Sequence, residues 1–199
     1  MIAMKKITIL IDNGHGVTTR GKRSPDGSHL EYKWCREVAC MVCDMLQAEG
    51  YDARLLVPEL ADISLAERCR RANKFAKDKA ILVSIHNNAA GDGSKWTRAR
   101  GWSIWTTRGI TEADKLAESI YARARAAFKK PLTVRTYSNE MYGHDYESDF
   151  YILLHSYCPA VLIENFFMDN KDDVEYLKTD RGKAACAEVA VLGIKDYLK

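Results

Sequence analysis

The sequence lacks any long hydrophobic run. No apolar stretch in its 199 residues approaches the roughly 20 residues that a membrane-spanning helix requires. The first residues lead directly into a strand-like pattern, without the hydrophobic region of a signal peptide. We therefore expect a protein with no membrane span and no signal peptide in this chain, made in the cytoplasm.

An excess of charge of one sign is also missing. The chain has 30 Lys and Arg residues against 27 Asp and Glu residues, which gives a formal net charge of +3. Nucleic-acid-binding proteins typically carry a basic helix face or a stacking motif, and the sequence has neither. We expect no nucleic-acid partner.

Cysteine is present without the pattern of a disulfide framework or a structural zinc site. Among the six cysteines, Cys40 and Cys43 form a lone C-x-x-C, and no second pair completes a zinc ribbon. Most cysteines fall within apolar helical patterns. We interpret them as small buried hydrophobic residues, which favours a reducing place of synthesis.

No linker rich in Pro, Gly or Ser divides the chain, and no internal repeat is present. Strand-like and helix-like patterns alternate, which predicts one α/β domain with a mostly parallel sheet. The predicted strands cover residues 7–11, 51–57, 80–85, 101–106 and 160–163. The predicted helices cover about 28–49, 111–129, 171–178 and 181–198, and a further helix opens at a capping box over 64–67. Residues 150–154 suggest a short strand or turn, and residues 136–149 suggest a loop over one end of the sheet.

Three of the apolar strands end in polar residues. The run 80–85 leads into His86, Asn87 and Asn88, the run 7–11 leads into the segment 12–16, and the run 160–163 leads into Glu164. Ligands of open parallel sheets bind just beyond the carboxyl ends of the strands. We expect these polar residues to lie at one rim of the sheet.

Each potential metal ligand has an ordinary structural interpretation when taken alone. His15 lies in a turn between two glycines and suits an exposed loop histidine, while His86 suits a hydrogen-bonded histidine at a strand end. Glu31 shares a helix face with Cys35 and points toward the sheet, but residues 28–31 also match a capping box, in which Glu31 would bond back to its own helix. Both interpretations of Glu31 stay open at this point.

Taken together, these residues suit a metal-dependent hydrolase. Two histidines and one carboxylate form the three-ligand set of a catalytic zinc ion, which keeps a fourth position for water. A carboxylate at the end of a buried strand is costly unless it is paired or functional, so Glu164 suits a general base that activates water. The alternative for Glu164 is a salt bridge to a loop arginine.

The pattern of residues 12–16 (DNGHG), Glu31, 84–88 (SIHNN) and 164–170 (ENFFMDN) resembles the zinc-dependent N-acetylmuramoyl-L-alanine amidases of the amidase-3 family. The resemblance covers nearly the whole chain. It implies that residues 1–199 form a single catalytic, three-layer α/β domain with a twisted, mostly parallel sheet flanked by helices. It implies zinc ligands at His15, Glu31 and His86 and a catalytic acid/base at Glu164.

The resemblance also implies a substrate. The expected reaction is hydrolysis of the amide between N-acetylmuramic acid and L-alanine in peptidoglycan, by an enzyme that acts on the cell wall as an endolysin does. Two rivals remain: a carboxypeptidase-like zinc peptidase with the same ligands, and a non-catalytic cell-wall-binding module that keeps the fold.

Two positions depart from the family pattern. Asn13 stands where the family usually has proline, and Phe166 stands where it usually has glycine. We expect the ring of Phe166 to lie close to the proposed base and to alter the shape of the substrate site.

Other side chains are candidates for supporting roles. Asp12 is expected to orient a ligand histidine from behind. Predicted substrate contacts are Asn88, Trp96, Arg98, Arg100 and Tyr142, with the arginines suited to carboxylates of the stem peptide and the two aromatic residues suited to sugar or peptide. His29 is a competing metal ligand, His144 is another residue of the predicted pocket, and His155 is interpreted as structural.

Overall fold

The computed structural model describes residues 7–75, 77–137 and 143–199. Strands and helices alternate along most of this part of the chain. The strands are β1 (Thr8–Asn13), β2 (Asp52–Leu55), β3 (Ala80–Asn88), β4 (Ser103–Thr106), β5 (Tyr146–Glu147) and β6 (Ala160–Phe167). The helices are α1 (Glu31–Ala48), α2 (Leu65–Ala72), α3 (Glu112–Ala127), α4 (Tyr151–Leu154), α5 (Lys171–Leu177) and α6 (Asp180–Tyr197).

The strands form one sheet in the order β2-β1-β3-β6-β4-β5. Strand β1 lies parallel to β2 and β3, and β3 lies parallel to β6. Strand β4 runs antiparallel to β6 and parallel to β5. The prediction of a mostly parallel sheet is confirmed, and the three strands that end in polar residues are direct neighbours at its centre.

Helices cover both faces of the sheet. Residues Ile9 and Ile11 of β1 belong to a core shared with α1, α3 and α6, whereas Leu10 belongs to a second core shared with α2 and α4. Successive side chains of a strand point to opposite faces, so a run of apolar residues reflects burial on both sides. The predicted three-layer α/β architecture is confirmed.

Several boundaries differ from the sequence patterns. The helix expected from about residue 28 begins at Glu31, and the loop expected over 136–149 contains the short strand β5. The segment expected as a strand or turn is the one-turn helix α4, in which the N–H of Leu154 donates to the carbonyl of Phe150. A segment of this length is too short for hydrophobic period to separate helix from strand.

Both helix starts predicted from local chemistry are confirmed. Thr111 caps α3 in a capping box with Asp114. The hydroxyl of Ser64 accepts a hydrogen bond from the N–H of Glu67 at the start of α2. The carboxylate of Glu67 bonds to Arg70 and Arg71 instead, so the second half of the predicted capping box does not form among the described residues. All six cysteines are free; five are buried and Cys40 is half-buried. Among the described residues no helix combines the length and the apolar character needed to cross a membrane.

Candidate metal centre

The polar ends of the three central strands meet at one edge of the sheet. Asp12 of β1 pairs in register with Ser84 of β3, and His86 of β3 pairs with Glu164 of β6. Parallel strands place their carboxyl ends at the same edge, as the sequence predicts. His15 follows β1 by two residues and therefore reaches the same rim.

The segment that carries His15 has a backbone that brings two imidazoles together. His15 itself adopts a left-handed conformation, with φ of 63°. A Cβ atom at Gly14 would lie 2.4 Å from the ring of His86, so only glycine fits there. The rings of His15 and His86 consequently lie edge to face, with centroids 5.0 Å apart.

Glu31 reaches from the first residue of α1 to β3, not back to its own helix. Residue Leu30 occupies the N-cap position, and no side chain caps this helix. The Oε1 atom of Glu31 accepts a hydrogen bond from the backbone N–H of Asn87 at 3.0 Å and lies 3.1 Å from Nδ1 of His86. The capping-box interpretation of Glu31 is wrong, because its carboxylate is committed to the end of β3.

His15, Glu31 and His86 together form a set of groups that can hold a metal ion. One ligand atom from each residue lies within 4.8 Å of the others. The Oε2 atom of Glu31 lies 3.3 Å from Nε2 of His15 and is buried without a hydrogen-bond partner among the described residues. A buried carboxylate oxygen without a partner is costly, and a cation bound between the three residues would satisfy it.

The electrostatics favour an ionised ligand. Burial by itself raises the pKa of Glu31, but interactions with the imidazoles of His15 and His86 outweigh burial and hold that pKa far below its ordinary value. For His86, burial acts to lower the pKa and Glu31 raises it, with a net rise. Glu31 is therefore a carboxylate at neutral pH, which is the form that binds a metal.

Glu164 stands beside this set with a free oxygen. Its Oε2 atom is buried and has no hydrogen-bond partner among the described residues. Burial raises the pKa of Glu164 to about 8, against the opposing attraction of His86, Lys22 and Arg135. No described arginine or lysine forms an ion pair with it, which excludes the salt-bridge interpretation for this part of the chain.

Asp12 acts on the backbone of the loop and not on an imidazole. Its two oxygens accept hydrogen bonds from Arg68 at 2.6 Å and from Ser84 at 2.5 Å. The buried guanidinium of Arg68 also donates to the carbonyls of Asn13 and His15. Asp12 was expected to orient a ligand histidine from behind, and its link to the loop of His15 runs through Arg68.

Arg68 and Asn87 are the supporting residues that sequence analysis missed. Arg68 adjoins Arg70 and Arg71, so in the sequence it looks like one member of a solvated basic run. The side-chain amide of Asn87 links His29 to the carbonyl of Asn165. The only sequence signal for Asn87 is its place directly after a buried strand.

The predicted substrate-contacting residues lie in several environments. Asn88 is half-buried, and its side-chain oxygen accepts a hydrogen bond from the next backbone N–H. Trp96, Arg98 and Arg100 line a pocket of about 370 Å³ beyond the end of β6. Arg100 donates to Asp172 and to the carbonyl of Pro131. Tyr142 lies outside the described residues.

The remaining histidines lie apart from the set of three. His29 is buried, and its Nε2 lies 2.8 Å from Oδ1 of Asn87; burial lowers its pKa. His144 stacks on Tyr121 and pairs with Glu118. His155 packs against the ring of Tyr151. None of them belongs to the metal-binding set found among the described residues.

The ring of Phe166 does not shape a substrate site. Its backbone has the glycine-like φ of 62°, but the side chain is fully buried. The ring packs edge-on against Phe128 and Tyr176 in the core shared with α3 and α6. The expectation of an altered substrate site is wrong, because the backbone turn after Asn165 directs this ring into the core.

Fold and site together define an α/β protein with a His-Glu-His set suited to metal and a buried carboxylate beside it, at the carboxyl edge of a mostly parallel sheet. The model of the Amidase_3 family, described as N-acetylmuramoyl-L-alanine amidase, matches residues 9–196. The chain belongs to this family.

Similar proteins agree with this assignment. The chain is 30% identical over 135 residues to an endolysin of Bacillus phage SPP1, covering 67% of this chain and 45% of that protein. It is 28% identical over 180 residues to the N-acetylmuramoyl-L-alanine amidase CwlM of Bacillus licheniformis, covering 87% of this chain and 61% of that protein. The chain thus spans about half the length of these two relatives. The crystal structure of an N-acetylmuramoyl-L-alanine amidase from Clostridium difficile 630 superposes with a TM-score of 0.81 at 26% identity, covering 98% of this chain and 97% of that one.

Proposed function

We propose that this chain is a zinc-dependent N-acetylmuramoyl-L-alanine amidase whose catalytic unit comprises residues 1–199. Its substrate is peptidoglycan, in which it hydrolyses the amide between the lactyl group of N-acetylmuramic acid and L-alanine. The observation that carries the proposal is the convergence of His15, Glu31 and His86 beside Glu164 in a chain of this family. The site of action is the cell wall.

The ligand set fits zinc. Two imidazoles and one carboxylate are a common donor set for catalytic zinc, which also needs a position left open for water or substrate. When bound, zinc supplies a Lewis acid that polarises the scissile carbonyl, acidifies water and lowers the pKa of the neighbouring Glu164. In this proposal Glu31 supplies the anionic ligand, and Asn87 holds its carboxylate in place through the backbone N–H.

Glu164 moves the proton. It accepts a proton from the attacking water as the oxygen of that water bonds to the carbonyl carbon. It then returns the proton to the nitrogen of L-alanine as the C–N bond breaks, which releases a free amine and a carboxylic acid. A group that accepts and then donates a proton works best with a pKa near the working pH. The buried, unpartnered Oε2 of Glu164 suits this role.

Product analysis on a purified muropeptide tests the proposal. The protein should release a peptide with a free amine on L-alanine, and Glu164→Gln should lower kcat by about 100-fold or more, as expected for loss of a general acid-base. Release of a terminal residue would instead identify a carboxypeptidase. A Glu164→Ala variant that clears a wall suspension as fast as the unaltered protein would refute the mechanism.

Metal analysis tests the ligands. The unaltered protein should purify with, or take up, one equivalent of zinc, and the His86→Ala variant should not. Equal zinc content in both proteins would remove the basis of the proposal, because His86 supplies one of the three converging donors.

A further inference from the structure

Arg135 contacts two aromatic rings, one of which belongs to the last residue of β6. Its guanidinium carbon is 5.2 Å from the ring centroid of Tyr146 in β5 and 5.2 Å from that of Phe167 in β6. A guanidinium over an aromatic face is attracted by the electron-rich ring. Two such contacts restrict the position of this cation.

The backbone around Arg135 restricts it further. The N–H of Arg135 donates to the carbonyl of Trp102 at 2.8 Å, and the N–H of Trp102 donates to the carbonyl of Thr133 at 2.9 Å. At Gly101, whose φ is 106°, a Cβ atom would lie 3.1 Å from Cγ of Arg135. The aliphatic stem of Arg135 thus lies against backbone, and the side chain is preorganised.

Despite this fixed position, Arg135 has no anionic partner in the part of the chain that the structure describes. Other ordered arginines have one: Arg68 pairs with Asp12, Arg71 with Glu59 and Arg123 with Asp196. No ion pair or side-chain hydrogen bond satisfies the guanidinium of Arg135 among the described residues. The aromatic contacts hold the charge but satisfy none of its five N–H donors, and no other described residue does so.

The location relates this free cation to the reacting centre. Phe167, which stacks on Arg135, follows Glu164 by three residues on β6. Phe167 also pairs in register with Asn88 of β3, two residues after the candidate ligand His86. The guanidinium therefore stands on the β5 side of the site, whereas Arg100, which we expected to bind a carboxylate, is already bonded to Asp172.

We propose that Arg135 binds a carboxylate of the stem peptide close to the scissile amide, so that it selects substrates in which that carboxylate is free. This inference rests on the proposed amidase function. A planar guanidinium with preset orientation suits bidentate binding of a carboxylate, which a lysine cannot reproduce. Arg135 thereby acts as a specificity-determining residue, and Gly101, Tyr146 and Phe167 hold it in position.

Two matched muramoyl-L-alanyl peptides test the inference. They differ only at the residue after L-alanine, which carries either a free α-carboxylate or the corresponding carboxamide. The unaltered protein should cleave the free acid with a kcat/KM about 10- to 100-fold higher, the range expected for a charge-assisted hydrogen-bonded pair. The Arg135→Gln variant should lose this preference, mainly through a higher KM for the free acid. It should cleave the carboxamide peptide with the same kcat/KM as the unaltered protein. Arg135→Lys should retain part of the preference.

A control variant distinguishes this effect from general loss of an arginine. Arg54→Gln removes a guanidinium that also lies over an aromatic ring, 5.5 Å from the centroid of Phe75, on the far edge strand β2. The Arg54→Gln variant should cleave the free-acid peptide and the carboxamide peptide as fast as the unaltered protein does. If Arg135→Gln loses equal activity on both peptides, or keeps the preference, the inference is overturned. If the unaltered protein cleaves neither peptide, the proposed function itself fails.

Discussion

The substitution Glu31→Gln separates a metal ligand from a structural carboxylate. It keeps the size and shape of the side chain and can keep the hydrogen bond from the N–H of Asn87. It removes the negative charge that faces His15 and His86. In the metal-free protein, charged hydrogen bonds become neutral ones, which should lower the free energy of unfolding by only about 1–3 kcal/mol.

The effect on zinc should be much larger. Loss of a residue that merely supports a ligand typically costs 10- to 100-fold in metal affinity, so replacing an anionic ligand should cost about 100-fold or more, or at least ~2.7 kcal/mol. The assay is zinc retention against a graded series of a competing chelator. Urea unfolding of the metal-free proteins gives the structural contribution separately.

Glu37→Gln is the matched control for this comparison. Glu37 lies on the same helix, is partly exposed and pairs with Lys183, so its substitution should leave zinc affinity unchanged. A folded Glu31→Gln protein that retains zinc as tightly as the unaltered one would refute the assignment of Glu31. The structure would then leave the unpartnered Oε2 of this residue without an explanation.

Three further predictions concern stability. Arg68→Met should lower the free energy of unfolding by about 3–5 kcal/mol in urea titrations, because it leaves Asp12 buried without its cation; an unchanged midpoint would contradict this. Phe166→Gly relieves a glycine-like φ, worth about 1 kcal/mol, but removes a fully buried ring worth about 3–5 kcal/mol. A net loss should therefore appear in the same assay, and a stabilised variant would be the contrary result. Burial raises the pKa of Asp145, so the folded state holds this proton more tightly than the unfolded state and stability decreases as pH rises past the unfolded pKa. Asp145→Asn should escape this loss, so the variant should gain stability relative to the unaltered protein as the pH rises above about 4, the ordinary pKa of Asp; unfolding titrations that show no relative gain would oppose it.

Local patterns in the sequence were sufficient to predict the α/β architecture and to indicate which residues meet at the candidate centre. The apolar runs that become β1, β3 and β6 indicated buried parallel strands, and their polar ends indicated a shared rim. Thr111 and Ser64 marked helix starts, because a capping hydrogen bond depends on residues only two or three positions apart. The roles predicted for Trp96, Arg98 and Tyr142 remain predictions.

Contacts between distant elements were decided only by the tertiary structure. The sequence left Glu31 with two partners, its own helix or the sheet, and the packing of α1 against β3 selected the second. The spacing of residues likewise did not reveal that Arg68 ties Asp12 to the backbone of His15, or that the turn after Asn165 sends the ring of Phe166 into the core. Arg135 depends on the placement of β5 beside β4, which brings Tyr146 to one side of it while β6 brings Phe167 to the other. Periodicity reports which face of an element is buried, whereas the order of strands in the sheet determines which buried groups meet.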